Sequence, residues 1–83
     1  MVNIDEHLVK VIADLTIFLE YTNSDLLNED AAVEAMEQLA GELQQMSEDA
    51  QQQLAKQLVA LASSYNQPQR EFVEGLPEAL GLE

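Results

Sequence analysis

The sequence has no cysteine and no tryptophan, and only three basic residues stand against sixteen acids in its 83 positions. Without cysteine there is no disulfide, no thiolate nucleophile and no sulfur-ligated zinc, which fits a reducing compartment and makes the cytoplasm the expected one. With Lys10, Lys56 and Arg70 as the sole bases, direct binding of nucleic acid or of an anionic membrane surface is disfavoured, because both depend on cations displacing counterions from phosphate. The first twenty residues contain one base, Lys10, and are broken by Asp5, Glu6, Asp14 and Glu20, so they match neither a secretory leader nor a membrane span. At this length the chain is expected to be a single helical domain over 1–83, near the lower size at which one core holds a fold. The last pair, Leu82-Glu83, is compatible with the leftover of an expression-vector junction and is given no functional weight.

What the chain does have is negative charge, and it is unevenly placed. The formal charge is -13, and between Val11 and Ala55 there are ten acids (Asp14, Glu20, Asp25, Glu29, Asp30, Glu34, Glu37, Glu42, Glu48 and Asp49) without a single base. Whatever this charge does, the middle of the chain does it.

Hydrophobic periodicity predicts helices throughout. Ile4, Leu8, Val11, Ile12, Leu15, Phe18 and Leu19 recur at three- and four-residue steps, the inward stripe of a helix over about residues 4–21 with Asn3 as its N-cap. Glu6, Lys10 and Asp14 form a charge ladder on its outer side. Val9, Ala13 and Ile17 make a second apolar line well round the helix. Either this helix is central and touches neighbours on two sides, or the line is a self-association contact, giving a possible homodimer. Thr22 to Asp25 is a turn cluster, and Leu26-Leu27 a short apolar hook ahead of a cap at Asn28. A second helix then runs over about 29–46, with Val33, Met36, Leu39, Ala40, Leu43 and Met46 inward. Ser47 caps a third over about 48–65, inward through Ala50, Leu54, Leu58, Leu61 and Tyr65. Pro68 opens a short fourth with Phe72, Val73 and Leu76 inward and Arg70 paired with Glu74 outside; Leu76-Pro77 stops or kinks it before a last turn that Gly81 ends. No strand pattern or internal repeat occurs. The expected fold is all-α, a compact antiparallel bundle of three main helices plus a short fourth C-terminal helix.

On the second helix, Asp30, Glu34 and Glu37 lie together opposite the inward arc, with Glu42 further round. Like charges at these spacings cost a helix a few tenths of a kcal/mol per pair, so the stripe does not help the fold. Gly41 sits one turn beyond Glu37 on the same outer side, where Ala would favour the helix by ~1 kcal/mol, and its missing side chain would let a partner approach closely. Solubility alone is the common explanation of such a face, yet solubility is obtained with mixed charges, and here bases are almost missing. Asp30, Glu34, Glu37 and Glu42, with Asp25, Glu29 and Gly41 at the margin, are therefore the expected contact with a basic protein partner. No catalytic pair is evident: exposed helical carboxylates lack the cleft that would raise one pKa. Asn23, Asp25, Asn28 and Asp30 offer oxygen donors, but without the central Gly and terminal Glu of an EF-hand loop. His7 has no second ligand or nucleophile and reads as a surface residue. No enzyme activity, metal or cofactor is implied.

Small acidic four-helix proteins resemble acyl carrier proteins, and Asn23-Ser24-Asp25-Leu26 stands near the right helix. No Asp precedes Ser24 and no Leu follows it, which argues against a phosphopantetheine attachment site. Size, acidity, helical pattern and lack of Cys also resemble, across the whole chain, the immunity proteins that bacteria make against their own toxins. That resemblance implies a non-enzymatic inhibitor that lays a negative surface over a basic nuclease or other toxin. The Tyr-Tyr-Pro signature of the nuclease-bacteriocin inhibitors has no counterpart here, so no binding residues carry over. The remaining alternative is a self-associating structural or regulatory module whose acids serve solubility.

Overall fold

Side-chain caps set the start of each long helix in a computed structural model that describes residues 4–22 and 25–82. Asp5 caps α1 (Glu6–Tyr21) by accepting from the His7 amide at 2.7 Å. The expected cap, Asn3, lies outside the described residues. Asn28 caps α2 (Glu29–Leu43), its Oδ1 accepting from the amides of Asp30 and Ala31, and Ser47 caps α3 (Glu48–Ala62) through the Ala50 amide. Each cap satisfies amides that have no partner within the helix. Two short helices follow, α4 (Gln69–Glu74) and α5 (Leu76–Ala79). The all-helical expectation holds: three long helices pack together, with the short C-terminal helices against α3, and the described residues contain no strand. No helix is long and apolar enough to cross a membrane among the described residues.

Two expected helix ends were too long: the second helix stops at Leu43 and the third at Ala62. The break expected near Leu76-Pro77 falls at Gly75, between α4 and α5. The Gln51 side chain donates to the carbonyls of Gln44 and Met46, closing the end of α2 from the next helix. Two more glutamines tie distant segments: Gln57 donates to the Ile4 carbonyl and Gln44 to the Leu80 carbonyl. In a chain with three bases, glutamine amides supply many of the side-chain donors to backbone carbonyls. Arg70 does not pair with Glu74; its Nε donates to the Tyr65 carbonyl at 3.0 Å.

The core corrects the assignment of faces on α1. Val9 and Ala13 are fully buried, Ile17 is half-buried, and Thr16 is buried with its hydroxyl donating to the Ala13 carbonyl. Leu8, Val11, Leu15 and Phe18, expected inward, are exposed. The Val9-Ala13-Ile17 line is therefore not available for self-association; it is where α1 meets the bundle. The reason is size: Val9, Ala13 and Thr16 are small, and they meet a core that includes Ala55 and Ala62 of α3, so the helices can approach closely while Leu54, Leu58, Val73, Leu76 and Leu80 fill the remaining space. The molecule is 43 × 27 × 19 Å, and its short dimension is about two helix diameters of 10–12 Å. A helix apolar on two opposite sides cannot cover both in such a layer.

Leu82 belongs to the core at 5 % exposure, and its amide donates to the Pro77 carbonyl at 2.8 Å. Leu82, given no functional weight from the sequence, thus has a structural place in the core; Glu83 lies outside the described residues. Gly81 makes the turn at φ +71°, with Gln44 packed so closely that a Cβ would meet its amide at 2.5 Å. The backbone there favours glycine, and a Cβ would also have to displace the Gln44 side chain from the Leu80 carbonyl.

Candidate functional site

The Asn28 cap fixes where α2 begins, and the 100° step of a helix then fixes where its acids point. Asp30, Glu34, Glu37 and Gly41 fall within an arc of about 60° that extends for roughly 16 Å along the axis. All four are exposed, as are Asp25, Glu29 and Glu42. Glu42 lies about 80° further round than this arc, and Glu29 turns the other way, toward α1. Asp25 precedes the helix in the turn. The predicted set is thus divided: one row of three carboxylates ending at Gly41, with Glu29, Glu42 and Asp25 around it.

No residue of α2 is buried; Met36, Leu39, Ala40 and Leu43 are half-buried against the core, and Val33, expected inward, is 57 % exposed. Between α1 and α2 this leaves an open groove of about 540 Å³ with Leu19, Leu27, Val33 and Met36 as its apolar lining. Glu20, Glu29 and Glu37 stand in the same wall. An apolar trough edged by carboxylates suits a Lys or Arg side chain, whose stem can lie on the apolar lining while its head meets an acid. Glu20 and Val33 were missed by sequence reasoning. The available signal was spacing: Glu29, Val33 and Glu37 are i, i+4, i+8 on one helix line. A second open groove, about 570 Å³, runs along α3 beside Leu82, with Glu48 and Lys56 both in its wall, so it lacks the uncompensated carboxylates of the first.

Position 41 is open: a Cβ built there meets nothing within 4 Å. Gly41→Ala is expected to stabilise the fold by ~1 kcal/mol, since nothing opposes the gain in helix propensity. Chemical denaturation checks this, and a loss of stability would mean that the backbone at 41 needs glycine.

A separate polar cluster lies on α1. Lys10 pairs with Asp14 at 2.7 Å, and the Tyr65 hydroxyl donates to the other Asp14 oxygen at 2.5 Å. Hydrogen bonds from Lys10 and Tyr65 hold the Asp14 carboxyl below its usual range, while burial and Asp14 itself push the Tyr65 hydroxyl up to about 12. Tyr65 therefore stays a donor through neutral pH, and this acid is committed to the fold. His7 is exposed. Asn28 spends its side-chain oxygen on the helix cap, and no three of His, Cys, Asp and Glu gather as a metal site among the described residues. Ser24 and Asn23 lie outside the described residues.

No protein-family model matches this chain, and no match is found to a curated protein or to a solved structure.

Proposed function

We propose that this chain is a non-enzymatic, acidic protein-interaction module whose second helix covers a basic surface of another protein. In its most concrete form it is a cytoplasmic immunity protein that inhibits a toxin or nuclease. The observation that carries the reading is the exposed row of Asp30, Glu34 and Glu37 on a helix without a base, lying beside an apolar groove edged by Glu20, Glu29 and Glu37. Uncompensated carboxylates accelerate the encounter with a cationic surface, and anchors entering the groove then slow dissociation. Glu42, Asp25 and Gly41 extend the face on which the partner sits.

The test compares the wild-type chain with a variant in which Asp30→Asn, Glu34→Gln, Glu37→Gln and Glu42→Gln are combined. Wild type is expected to retain a basic protein from native lysate at low salt, and the variant to lose it. With that protein purified, the association rate of wild type should fall steeply with salt, and the variant should associate about tenfold more slowly or worse at low ionic strength. Undiminished binding by the variant would defeat the proposal.

A further inference from the structure

We infer that the outward face of α1 is the contact between two copies of this chain. Leu8, Val11, Leu15 and Phe18 are 54, 59, 47 and 54 % exposed, and they span about 15 Å of helix. Their steps of three, four and three residues are the a/d spacing of a coiled-coil seam, narrower than the broad stripe by which a helix seats in a globular core. The inward face centres on the far side, at Val9, Ala13 and Thr16, with Ile12 at its edge toward the seam. Together the four side chains expose roughly 400 Å² of apolar surface, the class of the largest patches on soluble monomers, which are often functional. Two such seams supply roughly 800 Å², which is the apolar share, a little over half, of a two-sided interface of about 1,400 Å².

Spacing and charge select a second copy as the occupant. The pattern three, four, three reads the same in both directions, so a copy laid antiparallel brings Val11 against Leu15 and Leu8 against Phe18. On one side the seam runs into buried Ile12 and half-buried Leu19, beyond which Glu20, Glu29 and Glu37 edge the groove toward α2. On the other stand Tyr21, packed edge-on to Phe72, and Asp14, held by Lys10 and Tyr65, with Arg70 on the Tyr65 carbonyl. Two of the three bases in the sequence thus gather where this seam meets its neighbours. In a chain of net charge -13, a border on this side without net negative charge is what lets identical molecules meet edge to edge. The acidic row on α2 is a different surface, so the pairing stands or falls independently of the proposed function.

Sedimentation velocity on the full chain from about 10 μM to about 1 mM, at low and high salt, tests the inference. The expected result is a mass rising with concentration from 9.2 kDa toward twice that, with more dimer at high salt, because screening reduces the repulsion between copies. This is the opposite salt dependence from that of a basic partner. Leu15→Gln and, separately, Val11→Gln are expected to weaken the dimer at least tenfold with helical circular dichroism unchanged, since both positions face solvent in the monomer. If one variant unfolds, the other decides. Wild type that stays monomeric throughout overturns the inference, as does a dimer undiminished in a folded variant. A monomer that instead takes up a synthetic Leu/Lys amphipathic peptide, and loses it on Leu15→Gln, also overturns it in favour of a foreign helix.

Discussion

Leu58→Ala is expected to remove about 3–4 kcal/mol of folding stability, the middle of the range for a buried leucine that leaves a cavity. Leu58 is fully buried in the cluster that joins α1, α3 and the C-terminal helices. A chain of this length is held by about 4–12 kcal/mol in all, so the variant loses roughly a quarter of its stability or more. Leu15→Ala, about half-exposed at the start, should cost less than about 1 kcal/mol when measured at a concentration low enough to keep the chain monomeric. The two substitutions remove the same atoms, and they differ only in what surrounds them. Urea melts of both variants give the comparison directly. Equal losses would mean that α1 turns its Leu15 side into the bundle after all.

That comparison falls where sequence reasoning went wrong, and the cause is physical. Helix positions, the caps Asn28 and Ser47 and the inward line Ala50-Leu54-Leu58 were legible because each is set by local chemistry or by a single apolar stripe. α1 has two apolar stripes of helical spacing, and hydropathy ranks the larger side chains as the more buried. Which stripe faces in is decided by the neighbour, and the close approach of α3 selects Val9, Ala13 and Thr16 over Leu8, Leu15 and Phe18. Leu82 was set aside because Leu82-Glu83 matches a vector junction, and only the tertiary fold brings it into the core. The acidic row was legible because helical phase alone places Asp30, Glu34 and Glu37 together. The groove beside it was not, since it needs Leu19 and Glu20 from another helix.

Glu34→Lys is expected to move stability and partner binding in opposite directions. Glu34 is repelled by Asp30 at i-4 and by Glu37 at i+3, each at a few tenths of a kcal/mol. A lysine there turns both repulsions into attractions, with Asp30 on the favourable N-terminal side, and Asp30 keeps its place near the positive end of the helix. The combined gain is about 1–2 kcal/mol at low salt, which for a domain of this size raises Tm by roughly 5–10 °C. Salt should erode that gain, while wild type itself becomes more stable with salt as its carboxylates are screened. The two melting curves therefore converge at high ionic strength. On the proposed function, the same lysine places a cation in the middle of the row that receives a basic protein, where a like charge costs more than the loss of an acid, so binding should fall further than with Glu34→Gln. A row kept against its own cost to the helix is what a binding face predicts. Thermal melts at two salt concentrations test the stability half. Unchanged or lower Tm at low salt would show that the carboxylates of α2 are too well solvated to repel one another, and the argument that they are held together for a partner would lose its energetic basis.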